Sequence, residues 1–256
     1  MHSDIVTALD DAERSRVAIE PLSDSHSGLT QADAYAIQAG WLTRKLAAGA
    51  ELVGRKVGLT SQAMQKQLNV HEPDFGFLLR TMLVPSGGTL ARAELLRPRV
   101  EPEIGFWLAR DLRGPGVTVE QVLAATRGVC AAMEIVDSRI ADWRIKLVDT
   151  IADNGSSARA VFSDNVVPAG DVDLAAERVT LLRNGEPVGE GDGAAVLGHP
   201  AEAVAWLANT LATFDQALRA GQVVLPGAMC ASVFAEKGEV FEARFTRLGS
   251  VTVRFD

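Results

Sequence analysis

The stretch Arg97-Pro98-Arg99-Val100-Glu101-Pro102-Glu103-Ile104-Gly105-Phe106-Trp107-Leu108 limits the folding of this chain more than any other. Successive side chains of a strand point to opposite faces. A strand over 99–109 therefore sends Arg97, Arg99, Glu101 and Glu103 one way and Pro98, Val100, Pro102 and Ile104 the other. Two prolines favour an edge strand with its charges in water. The run Ile104–Leu108, apolar on both faces, instead takes the strand into a core. Carboxylates at i and i+2 beside such an entrance repel each other and take up protons unless a cation lies between them.

A third acid shares that difficulty. Glu134 follows Cys130-Ala131-Ala132-Met133 and precedes Ile135-Val136. A charge inside such a run rarely lacks a partner. A salt bridge to an arginine and a place in a metal site both fit. Three carboxylates with no His or Cys beside them suit a hard cation, Mg²⁺ or Mn²⁺, and disfavour zinc. Lys56, in Gly54–Ser61 (GRKVGLTS), alternates into a largely apolar strand, as a snorkelling surface lysine or as a buried cation. Asp74, in Glu72–Gly76 (EPDFG), reads equally as a turn aspartate.

Composition bears on what surrounds these groups. Among 256 residues, 47% are hydrophobic and 23% charged, enough apolar material for a core. The net charge of −8 argues against a nucleic-acid or anionic-membrane binder, and an acidic substrate would need a metal or well-placed cations. No apolar run has the length to span a bilayer, and the N-terminus carries no secretion signal, so a cytoplasmic location is expected. Cys130 and Cys230 read as buried free thiols.

Periodicity divides the chain in two. Ile5, Ala8, Leu9 and Ala12 follow a possible Ser3 cap, residues 21–28 read as a polar loop, and Thr30 caps a second helix with Ala34, Ile37, Trp41 and Leu42 inward. From residue 52 strands and glycines take over. Thr60 or Ser61 is expected to cap a short helix through Leu68, and Thr118 with Gln121 to open a helix through about Met133. Asn184-Gly185 marks a hairpin, Pro200 a helix start, and Phe241–Phe255 a C-terminal hairpin. The expected organisation is a helical segment over 1–51 followed by an α+β catalytic domain over 52–256.

Seven segments, in order, carry a resemblance: GRKVGLTS, EPDFG, RPRVEPEI (97–104), MEIVDSRI (133–140), DTIADN (149–154), LGHP (197–200) and LGSVTVRF (248–255). Together they resemble the 2-hydroxypenta-2,4-dienoate (2-keto-4-pentenoate) hydratases of the fumarylacetoacetase superfamily, over nearly the whole chain. The resemblance implies a mixed β-sheet roll of the fumarylacetoacetase C-terminal type, and Mg²⁺ or Mn²⁺ held by Glu101, Glu103 and Glu134. It implies Lys56 and Asp74 as catalytic groups, with Arg99, Thr60, Ser61 and Asp153 at the substrate. It also implies a homo-oligomer, possible association with a downstream aldolase, and hydration of a dienol to a 4-hydroxy-2-oxo acid in aromatic ring-cleavage catabolism.

The runner-up is 4-oxalocrotonate decarboxylase, which shares the metal site. Arg55, Asp74 and Arg99 stand where decarboxylases tend to carry Leu, Ile and Lys, which favours hydration. A C–C hydrolase would want a His–Glu pair that His71 and His199 do not match. A non-catalytic subunit would be expected to have lost these acids. Gly155 stands where the family usually has alanine and is expected to loosen its loop.

Overall fold

The computed structural model describes residues 2–61, 65 and 72–256. The helix expected through Leu68, together with His71, lies outside the described residues. The structure is a mixed α/β arrangement with two sheets. The larger sheet contains β1 (Leu52–Gly58), β2 (Asp74–Leu79), β3 (Leu83–Pro85), β5 (Arg99–Leu108), β6 (Thr126–Val136), β7 (Ser157–Phe162), β10 (Val223–Leu225) and β11 (Val233–Phe234). Its order is β2-β1-β10-β5-β6-β7-β3, with β11 also on β5. The smaller sheet runs β4 (Gly88–Leu90), β13 (Ser250–Phe255), β12 (Val240–Phe245), β8 (Arg178–Arg183) and β9 (Glu186–Asp192).

β5 is no edge strand. On one side it pairs with β6 along its whole length, from Arg99↔Val136 to Leu108↔Thr126. On the other side the ladder is interrupted: β11 covers Arg99 and Val100, and β10 covers Phe106 and Trp107. The Pro102 carbonyl faces this gap, where it accepts from the Met229 backbone N–H. A residue's N–H and C=O leave a strand on the same side, so the donor that proline lacks falls where no ladder bond is required. Pro102 is thus compatible with an interior strand, and it marks the break that the site occupies.

The helix expected through Met133 ends much earlier. Thr118 and Gln121 form the capping box, but the helix covers only Val119–Ala125, and Thr126–Val136 is strand. The residues of β6 are fully buried from Gly128 onwards and flanked by β5 and β7. Periodicity does not separate a two-face-buried strand from a buried helix, and tertiary pairing decides.

The N-terminal helices are α1 (Ser3–Ser15), the single turn α2 (Leu22–Ser25) inside the expected loop, and α3 (Gln31–Ala47). Ser3 is not the cap of α1; that position falls to His2, in a left-handed conformation with no side-chain cap bond. Thr30 does cap α3, in a reciprocal box with Asp33. Gln38 is the buried polar link between this segment and the sheet. Its Nε2 donates to the carbonyls of Phe75, in β2, and Ile151, both at 2.8 Å. Asn184 and Gly185 both have positive φ, 53° and 88°, as a tight two-residue hairpin requires. His199 caps the helix Pro200–Ala212 through Nδ1, which accepts from the Ala201 N–H.

Gln38→Leu keeps the volume and removes both bonds, leaving two buried carbonyls without partners. The expected cost is about 1–3 kcal/mol, read as a lower midpoint in urea unfolding at unchanged m-value.

Candidate metal and substrate site

Glu101 and Glu103 leave the same face of β5, and Glu134 stands directly opposite Glu101 on β6. Ligand oxygens of all three lie within 4.8 Å of one another. Glu103 and Glu134 are fully buried. Glu103 Oε2 accepts from the Gly227 N–H at 2.7 Å, while Glu103 Oε1 and both Glu134 oxygens lack hydrogen-bond partners. Buried carboxylate oxygens are normally paired. Unpaired oxygens converging on one point fit a hard divalent cation, which takes oxygen ligands.

The electrostatics agree. Burial, then the charge of Glu134, pushes the Glu101 carboxyl up to about 7. Burial together with Glu134 and Glu101 raises Glu103 well above the ordinary range. Burial also raises Glu134, opposed by Lys56. The partner of Glu134 is this lysine, not an arginine: Lys56 Nζ lies 3.4 Å from Glu134 Oε2. Lys56 is 3% exposed, so it does not snorkel. Burial alone would lower its pKa, but Glu134, Asp74, Glu101 and Glu103 outweigh that and raise it. It is a fixed cation. Its second anchor is the Gly155 carbonyl, 3.0 Å away.

Asp74 completes the group. Its Oδ2 accepts from Thr150 Oγ1 at 3.2 Å, and its buried Oδ1 has no hydrogen-bond partner. Burial raises its pKa, with Lys56, Thr150 and the Gly58 backbone opposing. Asp74 is therefore no turn aspartate. It opens β2 opposite Gly58, the last residue of β1. A Cβ on Gly58 would lie 2.2 Å from Asp74 Oδ1 and 3.0 Å from Lys56 Nζ. Glycine is what lets acid and base groups close around the same space. Lys56, Asp74, Glu101, Trp143, Thr150 and Ser156 are among the walls of a small cavity of about 70 Å³.

A second cavity of about 220 Å³ adjoins it, sharing Gly58, Leu59 and Glu101. Thr60 and Ser61 line this one. A Cβ on Gly227, where φ is +120°, would meet Thr60 Oγ1 at 2.1 Å, so the two chain segments touch. A larger cleft of about 400 Å³ lies beneath α1 and α3, among Asp10, Glu13, Arg16, Lys45 and Arg159. None of the candidate site residues lines it.

Two expectations are corrected, for Asp153 and for Gly155. Asp153 does not line either cavity. Its carboxylate is held by the Arg139 side chain and backbone, Ser138 and Ser156, and burial lifts its pKa to about 6 against the pull of Arg139. An arginine only 1% exposed needs a carboxylate, and Asp153 supplies it. Arg55 points to the face of β1 opposite Lys56, where it donates to Gln216 Oε1 at 2.7 Å. Gly155 does not loosen its loop; with φ +58° its carbonyl anchors Lys56. An alanine there would strain the backbone and place a Cβ 3.1 Å from Nζ.

Arg99 shares the face of Glu101 but lies outside both cavity walls. Its guanidinium packs over Phe234 at 4.4 Å and Trp143 at 5.3 Å, and its buried Nε has no hydrogen-bond partner. Thr150, Gly227 and Gly58 were not singled out from the sequence. Thr150 carried a signal, one residue after the acid that opens DTIADN; the others act through backbone alone.

With the geometry fixed, relatives can be compared. Residues 46–256 match the model of the fumarylacetoacetate (FAA) hydrolase C-terminal family. The chain belongs to this family. A 2-hydroxyhexa-2,4-dienoate hydratase of Comamonas testosteroni is 46% identical over 96% of this chain and 94% of its own length. A 2-keto-4-pentenoate hydratase of Paraburkholderia xenovorans is 44% identical over 96% of this chain and 91% of its own. Among solved structures, a 4-oxalocrotonate decarboxylase from Pseudomonas putida G7, complexed with magnesium and adipate, superposes with a TM-score of 0.96. It is 35% identical and covers 100% of this chain and 98% of that one.

Two outcomes test the site. In chelator, the carboxyls with raised pKa bind protons more tightly folded than unfolded. Their contribution to stability is complete below the ordinary value of 4.5 and is lost as pH rises through about 7 for Glu101. The melting temperature of metal-free protein should fall between pH 5 and 8, and Mg²⁺ or Mn²⁺ should restore it most at the high end; a flat profile with no metal response would refute the cluster. Gly58→Ala should leave a folded protein by circular dichroism with activity reduced at least ~100-fold, the scale of one displaced acid/base group.

Proposed function

We propose that this chain is a metal-dependent hydro-lyase adding water to 2-hydroxypenta-2,4-dienoate, or a homologue, to give a 4-hydroxy-2-oxo acid. The observation that carries this reading is Asp74: a buried acid with one unpartnered oxygen, beside Lys56 and the three glutamates, in a chain nearly half identical to a dienoate hydratase.

Glu101, Glu103 and Glu134 would hold Mg²⁺ or Mn²⁺, which when bound supplies Lewis-acid polarisation of a 2-oxo acid's C2 oxygen. Lys56 remains a cation under the charge of four carboxylates, so it serves as a fixed counter-charge for the anionic substrate rather than as a base. Asp74 is the group that moves a proton. Burial raises its proton affinity above that of an ordinary aspartate, which strengthens it as a base. After the dienol ketonises, Asp74 takes a proton from the water adding at C4 and returns it to C3, so one water is consumed. Thr150 fixes the carboxyl's orientation by donating to Oδ2. Arg99, wedged between Phe234 and Trp143, is a cation positioned behind Glu101 for the substrate carboxylate's field rather than for contact. Thr60 and Ser61 would meet the substrate from the second cavity.

The decarboxylase reading rests on the near-superposable structure. Decarboxylation needs no water-activating acid, so Asp74 weighs against it. No helix among the described residues is long and apolar enough to cross a membrane. A cytoplasmic homo-oligomer acting in aromatic catabolism, handing its product to an aldolase, is part of the same proposal.

Enzyme with Mg²⁺ should bleach the dienol absorbance of 2-hydroxypenta-2,4-dienoate and yield a product heavier by one water. Rapid CO₂ release from 2-oxo-3-hexenedioate without hydration of the first substrate would favour the decarboxylase. Lys56→Met and Asp74→Asn should each lower kcat by ~10²–10⁴-fold. Lys56→Met should also lower the metal-free melting temperature, because Glu134 then loses its only ion-pair partner among the described residues.

A further inference from the structure

The two cavities flanking Glu101 differ in kind. The smaller carries the charges of Lys56 and Asp74 and the Thr150 hydroxyl among apolar walls that include Val136, Trp143 and Ile145. The larger is built mainly from Val57, Leu59, Ala195, Ala228, Met229 and Ala231. Its remaining walls, apart from Glu101, are neutral hydroxyls, glycine and the Cys230 thiol. Among the described residues its one charged wall is Glu101, an acid, and no Lys, Arg or His lines it.

The second sheet sets this wall. A Cβ on Gly191, in β9, would lie 1.9 Å from the Met229 carbonyl oxygen, and one on Gly189 would lie 3.1 Å from Cys230 Sγ. Met229 and Cys230 therefore lie flush on β9, which backs this wall. Ala195 follows in the short turn after β9. A carboxylate entering here would lose water, meet no cation among the described residues and approach the charge of Glu101. An alkyl group would gain roughly fourfold in affinity for each methylene buried.

Resting on the hydration reading, we propose that this cavity receives the uncharged alkyl end of a monocarboxylic 2-hydroxy-2,4-dienoate, and that the enzyme thereby selects against substrates ending in a second carboxylate.

The test separates binding from turnover. Calorimetry on the Mg²⁺-loaded protein compares 2-oxohexanoate with 2-oxohexanedioate, which has the same chain length and a terminal carboxylate. The monoacid should bind at least tenfold more tightly, and Ala231→Arg, at an exposed position on the wall, should shrink that ratio by favouring the diacid. Equal or tighter binding of the diacid to the unaltered protein would overturn the proposal. Hydration rates of 2-hydroxyhexa-2,4-dienoate and 2-oxohept-4-ene-1,7-dioate form the second arm. A faster monoacid supports the proposal, and a faster diacid overturns it. If neither gains water while the tenfold binding preference holds, the hydration reading fails and the tail preference stands.

Discussion

Glu101 and Glu134 face each other across β5 and β6, two acids in the position where like charges most disfavour a strand pair. Glu103 joins them from the same face; Glu103 and Glu134 are fully buried, and Glu101 is half-buried at the cavity wall. Such an arrangement persists only if positive charge enters it. Lys56 provides one charge from β1, and a divalent cation fits the oxygens that Lys56 leaves without partners. Much of the surrounding structure serves to hold that lysine and its acids in place. Gly155 takes its ammonium, Gly58 clears the space beside it, and Gly227 fixes one oxygen of Glu103.

The sheet makes room for this by being incomplete. β10 and β11 cover the two ends of β5 and leave its middle open, where Pro102 has no N–H to offer. The segment around Met229 fills the gap by one bond to the Pro102 carbonyl. One wall of the substrate space is therefore a loop resting on the second sheet, not a strand of the first. The two cavities draw on different layers: acids and lysine from the large sheet, apolar walls from where the small sheet presses a loop against it.

Behind the site, buried polar groups tie the helical segment and the loop after β6 to the sheet. Gln38 bonds β2 and the helix that carries Thr150, so α3 indirectly orients the partner of Asp74. Arg139 and Asp153 form a buried pair that fixes the turn preceding Gly155. These links explain why DTIADN is dense in polar residues while only Thr150 of that run faces the small cavity. Polar residues near a site are as often its supports as its reagents.

Several elements were legible in the sequence because their causes are local. The Thr30 box, the Asn184-Gly185 turn, the Pro200 start and the C-terminal alternation each follow from a few adjacent residues. Alternation alone placed Glu101 and Glu103 on one face, and the apolar run around Glu134 announced a charge in need of a partner. What the sequence left open depended on distant pairing. Thr126–Met133 reads as helix until β5 and β7 flank it, since an apolar run has no period to declare. Lys56 and Arg55 are neighbours with equal claims in sequence, yet strand alternation and the placement of the two faces send one to the acids and the other to Gln216. Asp74 and Asp153 look alike as motif acids, but only the first has an oxygen left over, because Arg139 arrives from another turn to engage the second. Local sequence determined which residues carry charge and how they alternate. Tertiary structure decided which of those charges remain unsatisfied, because that depends on what the rest of the chain brings within reach.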